Sequence, residues 1–272
     1  MIAIILAAGM GTRLKDKTKN IPKGMLEFLG IPLLEWQVAA LREAGATKII
    51  IVTGYNQECI RLPNVTKVYN PNYAETNMIE SLMCARDYLQ EGFILSYSDI
   101  IFDPSLAKSA VKSTSEIAVL GDKDWLPYWQ LRLPDLWEDD LESFKVDADG
   151  TIAEIGRPHP VLEEITHRFI GLIKFSQRGA QELLSLYDKK KLFGDSWEQS
   201  GKQFKQGYMT DLLHELRHSE ARPTIVETSN GWMEFDELMD FQFANQLYAE
   251  EKMDFVKLDQ FSKFMLTSIK ER

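Results

Sequence analysis

Two cysteines, Cys59 and Cys84, stand in 272 residues. They lack Cys-x-x-Cys spacing, so neither a disulfide framework nor a cysteine zinc site organises this chain, and a reducing, cytoplasmic setting is expected. Histidine is equally sparse, at four residues. Positive charge is in deficit: 31 lysines and arginines face 41 acidic residues, a net charge of −10. A general nucleic-acid binder is excluded, because a phosphate backbone needs clustered cations. No apolar run approaches a membrane span, and the short one at residues 2–7 has neither the length nor the basic flank of a secretory leader. Repeats, low-complexity tracts and obvious linkers are missing too.

What is present is ordinary globular material, 44% hydrophobic, arranged in alternation. Short β-rich runs at 2–7, 48–53, 66–69, 93–97 and 116–120 are separated by helical patterns at 33–44, 77–89 and 104–112. Continuous apolar strands of this length are buried on both faces, which implies an α/β, Rossmann-like, mainly parallel sheet flanked by helices. After residue 120 the pattern changes. A polar, tryptophan-rich stretch at 121–142 precedes a β-hairpin, 142–147 and 151–157, turning at Asp147-Ala148-Asp149-Gly150. A strand at 168–175, helices at 180–190 and 210–219, strands at 224–228 and 232–235, and helices at 236–250 and 259–270 complete the chain. One domain over 1–272 is expected, with a small β-rich insertion. The last two helices offer apolar faces on which two copies can pair.

The first strand runs out into Leu6-Ala7-Ala8-Gly9-Met10-Gly11-Thr12-Arg13-Leu14, and ten residues beyond Arg13 lies Lys23, behind Pro22. In α/β folds ligands bind at the carboxyl ends of strands. Glycines let a backbone approach a polyanion, and successive N–H groups in such a turn form an anion nest. Arg13 adds a planar fork for phosphate oxygens and Lys23 a mobile point charge. Two better-known phosphate loops are excluded: Leu14 stands where a dinucleotide fingerprint needs its third glycine, and Lys23-Gly24 reverses the Walker A order.

Gly9, Gly11, Thr12, Arg13, Leu14, Thr18, Pro22, Lys23 and Leu26 resemble the signature of the nucleotidyltransferases that activate sugar phosphates and phospho-alcohols. The segment 15–18, Lys-Asp-Lys-Thr, departs from the Pro-Leu-Thr of many sugar-nucleotide members. The resemblance implies a triphosphate site formed by Leu6, Ala7, Ala8, Gly9, Gly11 and Thr12, with Arg13 and Lys23 as the catalytic cations. It further implies Mg2+ as cofactor, held by an aspartate at position 99 and by the aspartate of a closing Trp-x-Glu-Phe-Asp element, here Trp232 to Asp236. Magnesium takes one or two carboxylates together with phosphates and water, which suits that pair. Alternation along 232–236 puts Trp232, Glu234 and Asp236 on one face, the first two toward the acceptor. Asp236 also precedes a helix, so capping of that helix is the alternative to metal binding for it.

Residues 70–82 are similar to the Asn-x-x-x-Ser-Leu element of the phosphocholine cytidylyltransferase branch, placing Asn77 and Ser81 near the nucleotide; plain N-capping of a helix by Thr76 or Asn77 is the alternative. Trp125, Tyr128 and Trp129 lie within five residues. They suit either a cation–π cage for a quaternary ammonium or a plug of core aromatics. One further motif competes: His214-Glu215-Leu216-Arg217-His218 is a literal zinc-protease pattern. Helical spacing places Met209, Leu212, Leu213 and Leu216 on the apolar face and both histidines opposite, so both are expected in solvent rather than in a cleft.

The combined expectation is transfer of CMP from CTP to a small phosphorylated alcohol or amine such as phosphocholine. Residues 1–120 would bind the nucleotide, 121–236 the acceptor and metal, and 237–272 would close the fold. Sugar 1-phosphates with UTP, dTTP or GTP, and a silent nucleotide-sensing module, are the competing readings.

Overall fold

A computed structural model describes residues 1–270. Its core is a seven-stranded sheet: β1 (Ile2–Ala7), β2 (Lys48–Thr53), β3 (Thr66–Tyr69), β4 (Phe93–Tyr97), β5 (Ile117–Asp122), β6 (Arg168–Phe175) and β7 (Pro223–Thr228). The order across the sheet is β7-β5-β6-β4-β1-β2-β3. All neighbours are parallel except β6, which runs antiparallel to both β4 and β5. The carboxyl ends of β1, β4 and β5 therefore share one edge with the amino end of β6.

Period-two alternation sorts the strand residues between two cores. Ala3, Ile5, Ala7, Ile49, Ile51, Ile94 and Leu120 face one side; Ile4, Leu6, Ile50, Val52, Leu95 and Val119 face the other. The first core is covered by α1 (Leu33–Glu43), α3 (Pro104–Lys112), α4 (Trp125–Arg132), α7 (Leu238–Ala249) and α8 (Asp259–Lys270). The second is covered by α2 (Met78–Cys84), α5 (Gln177–Phe193) and α6 (Met209–Leu216). Capping explains sharp starts: the Asp103 carboxylate accepts from Ser105 N, with Pro104 at the first helical position of α3.

Three departures from the sequence expectation matter for function. The 121–142 stretch, for which the sequence named no element, contains the helix α4 with its aromatics; the hairpin after it forms as expected, Glu142–Val146 against Ile152–Pro158. The helix expected over 77–89 stops at Cys84 and gives way to a 3₁₀ turn. The strand Trp232–Glu234 lies outside the main sheet and pairs antiparallel with Ile100–Phe102, Glu234 opposite Ile100 and Trp232 opposite Phe102.

Candidate active site

The glycine loop is built around its second glycine. Gly11 has φ +61°, and a Cβ there would sit 3.1 Å from both Cβ of Lys23 and Cγ2 of Thr18. The Thr18 hydroxyl donates to the Gly11 carbonyl at 2.9 Å, so the loop folds back onto the Pro22-Lys23 segment. That closure is why a glycine and a lysine twelve residues apart belong to one structure.

The short ribbon then brings the two aspartates together. Asp99 leaves β4 just before Ile100, and Asp236 follows Glu234, the register partner of Ile100. Phe235 N donates to the Asp99 carbonyl at 2.8 Å, locking the approach. Between the carboxylates lies one ammonium: Lys23 Nζ is 2.9 Å from Asp99 Oδ2 and also bonds Asp236 Oδ1. Arg13 Nη1 reaches the other Asp236 oxygen at 2.7 Å, its side chain 63% exposed.

Charge states follow from this arrangement. Burial opposes ionisation of Asp236, but Lys23 and Arg13 outweigh it and hold the carboxyl down to about 2. Burial likewise opposes the Lys23 charge, and Asp99 and Asp236 override it, raising the ammonium above its usual value. Glu234 goes the other way: burial, with Asp236 nearby and Arg132 opposing, pushes it up to about 8.

Two cavities meet here. One, about 320 Å³, is lined by Leu6, Ala7, Ala8, Gly9, Gly11, Thr12, Arg13, Lys23, Asn77 and Ser81, every triphosphate-side residue the sequence singled out. The other, about 530 Å³, is lined by Trp232 and Glu234 together with Tyr97, Asp140, Glu142, Arg168, Phe169, Lys202 and Tyr208. Arg13, Met78, Asp99, Tyr208 and Asp236 belong to both walls. Two substrates seated side by side would therefore touch across the aspartate pair.

Asn77 and Ser81 also serve the fold. Asn77 accepts from Met78 N at 2.9 Å to cap α2 and donates to the Gln206 carbonyl at 3.3 Å. Ser81 is buried and accepts from Asn70 Nδ2 at 3.0 Å.

The aromatic cage is corrected. Trp125, Tyr128 and Trp129 are 3%, 1% and 0% exposed and line neither of these cavities. They form a layer behind the site. Trp129 is in cation–π contact with two guanidinium groups, Arg168 at 3.8 Å and Arg132 at 4.3 Å, and the Tyr128 hydroxyl accepts from Glu234 N at 3.0 Å. The cation–π attraction expected for a ligand is spent on arginines of the protein itself. Trp232 keeps its place in the cavity wall while its indole N–H donates to Asp122 at 2.8 Å.

Sequence reasoning missed Asp140, Glu142, Arg168, Lys202 and Tyr208 because they come from separate segments. Arg168 alone carried a signal, as the first residue of an antiparallel strand whose start lies on the ligand-bearing edge.

The zinc-protease pattern is absent as a site. His218 is exposed as expected, but His214 is buried, 7% exposed, because α6 packs against the hairpin. Its Nε2 accepts from Arg217 at 2.7 Å, which leaves no lone pair there for a metal. No cluster of three or more metal-type side chains exists among the described residues.

Comparison with known proteins agrees with this geometry. Residues 3–167 match the MobA-like NTP transferase domain. The CTP:phosphoglutamine cytidylyltransferase of Campylobacter jejuni is 31% identical over 258 residues, 89% of this chain and 98% of the relative. The 2-aminoethylphosphonate cytidylyltransferase of Lancefieldella rimae is 34% identical over 66% of this chain and 69% of its own length. Among solved structures, the CTP:phosphocholine cytidylyltransferase of Streptococcus pneumoniae superposes with a TM-score of 0.67 at 22% identity, covering 91% of this chain and 99% of that one. The sheet, the triphosphate-type loop and these matches together place the chain in the MobA-like NTP transferase family, and it is an enzyme of the nucleotidyltransferase class.

Proposed function

We propose that this protein transfers CMP from CTP to a small phosphorylated or phosphonate acceptor carrying an amine, releasing pyrophosphate, with Mg2+ as cofactor. The observation that carries the reading is the junction of two cavities at Arg13, Asp99 and Asp236. The choice of CTP rests on the cytidylyltransferase relatives, above all the one matched over 98% of its length.

An acceptor phosphate oxygen attacks the α-phosphorus in line, the bond from that phosphorus to the bridging oxygen breaks, and pyrophosphate leaves. The glycine loop admits the triphosphate. Arg13 and Lys23, which both line that cavity, neutralise charge building on the α-phosphate and the departing group. No protein nucleophile is required.

The donor set suits a hard divalent ion. Two carboxylates already share one cation, the Lys23 ammonium, and Oδ1 of Asp99 is buried with no hydrogen-bond partner. Asp99 and Asp236 would hold Mg2+, which when bound supplies a bridging positive charge for phosphate oxygens.

The acceptor's amine is assigned to the acidic side of the larger cavity, where Asp140 and Glu142 stand beside the rings of Tyr97, Phe169 and Tyr208, with Glu234 as a further hydrogen-bond partner. Phosphocholine, phosphoglutamine and 2-aminoethylphosphonate, the acceptors named for relatives, all pair a phosphoryl-type anion with nitrogen. Arg168, stacked on Trp129, is the cation of that cavity wall best fixed in place.

The test is to incubate the protein with Mg2+, each of CTP, UTP, GTP and dTTP, and a panel of amine-bearing and sugar phosphates, and to identify products by mass spectrometry. A CDP-linked amine product is expected; a sugar nucleotide as the dominant product would contradict the assignment.

A further inference from the structure

Asp236 is fixed by a buried ion pair one layer below it. Asp240, at the third position of α7, accepts through a single oxygen, Oδ2, from Asp236 N at 2.6 Å and from Glu237 N at 2.7 Å. Arg132 grips the same carboxylate with a fork, Nε to Oδ1 at 2.8 Å and Nη2 to Oδ2 at 2.9 Å. Its remaining nitrogen, Nη1, reaches Glu234 Oε2 at 3.0 Å. Arg132 and Asp240 side chains are 2% and 1% exposed.

Capping of α7 accounts for only part of this. A helix cap needs the bond from Asp240 to Glu237 N, and a solvated aspartate provides that without an arginine. The second bond, to Asp236 N, lies outside the helix. Burying two charges costs desolvation that their attraction seldom exceeds, so stability alone gives no reason for the pair. What the pair does geometrically is definite: it pins the backbone of Asp236 and, through the same guanidinium, the carboxylate of Glu234 two residues earlier.

We propose that Arg132, acting through Asp240, is a positioning residue that aims the Asp236 carboxylate at the junction of the two cavities. Trp129 supports the role from behind, since its ring lies against Arg132 on one contact and against cavity-lining Arg168 on the other. The aromatic stretch of α4 thus acts on the site through arginines. This inference rests on the reading of Asp236 as a metal carboxylate.

The test uses the full-length protein and the double variant Arg132→Met/Asp240→Leu, which removes both charges and fills their space. The pair itself can be replaced by apolar groups in many folds, but Glu234 and two backbone N–H groups lose a partner as well, so a lower thermal midpoint is expected and Mn2+ binding is read at a temperature where the variant is folded. Binding of Mn2+ with CTP present, followed by electron paramagnetic resonance, should weaken by about 10- to 100-fold, the usual effect of losing a group that orients a metal ligand. The rate kcat should drop about 100-fold, as small misplacements of reacting groups do. Asp240→Asn keeps an oxygen for the two N–H groups and should recover most of the Mn2+ affinity that Asp240→Ala loses. A purely structural role predicts lower thermal midpoints with unchanged Mn2+ binding, and that result in a folded variant overturns the proposal. Should the double variant not fold, equal Mn2+ affinity in Asp240→Asn and Asp240→Ala overturns it as well. Failure of the parent protein to turn over CTP would count against the proposed reaction alone, because Mn2+ binding is read independently.

Discussion

The ammonium of Lys23 lies 2.9 Å from Oδ2 of Asp99, and its other contact is Asp236. The same lysine is thus counter-ion to the two carboxylates and a cation in the wall of the cavity beside the glycine loop. The ammonium neutralises the pair while no substrate is present, and this sets up a competition. Removing the ammonium should leave two carboxylates with only Arg13 to balance them. Lys23→Met is expected to bind Mn2+ more tightly than the parent protein in the absence of nucleotide, while its turnover drops by about 10²- to 10³-fold. Weaker Mn2+ binding in that variant would show that Lys23 does not occupy the cation position.

The two glycines of the loop should respond differently. Gly11 has φ +61° and a tight Cβ position, 3.1 Å from Lys23 and Thr18, whereas a Cβ on Gly9 meets nothing within 4 Å. Gly11→Ala should lower stability by about 1 kcal/mol in denaturant unfolding, from left-handed backbone strain, and displace Lys23. Gly9→Ala should leave stability unchanged and weaken triphosphate binding instead, because its new methyl group projects where the phosphates approach. Equal loss of stability in both would refute the distinction.

Trp129 is fully buried, with the guanidinium groups of Arg132 and Arg168 against its ring. Its truncation to alanine should cost about 3–5 kcal/mol of stability, the range for large aromatic side chains in cores. A variant of unchanged stability with only a raised acceptor KM would restore the cage that the structure argues against.

His214 supplies a pH dependence. Burial, then the neighbouring Arg217 cation, hold its imidazole below the ordinary value, and protonation would set two cations against each other where Nε2 now accepts from Arg217. The unfolded chain therefore takes up the proton first as pH falls through about 6.5. Stability is full above that value and declines below it, until the folded imidazole also protonates. Urea midpoints at pH 7.5 and 5.5 should differ in that sense, and His214→Gln should narrow the gap. A gap of undiminished size in His214→Gln would remove His214 as its source.

Much of the triphosphate side was legible from spacing alone, because the glycine loop, Arg13 and Lys23 lie within one stretch of chain and Gly11 needs its conformation whatever surrounds it. Asp99 was legible from the strand before it. The acceptor side was not. Its wall is assembled from the hairpin, the start of β6 and the segment before α6, so no local pattern marks it. The aromatics of α4 misled for a related reason: their density signals a ring environment, but only the packing of Arg132 and Arg168 against Trp129 decides that the rings point inward. His214 was placed in solvent by a helical wheel that could not include the hairpin packed over α6.

The most direct test of the account is acceptor-dependent release of pyrophosphate from CTP, measured with Mg2+ for the parent protein and for Asp99→Asn and Asp236→Asn. The account predicts release that needs an amine-bearing phosphorylated acceptor, stops on chelation of the metal, and falls by at least about 10²-fold in each variant. Undiminished release in either asparagine variant, or none from CTP with any acceptor in the parent protein, would contradict it.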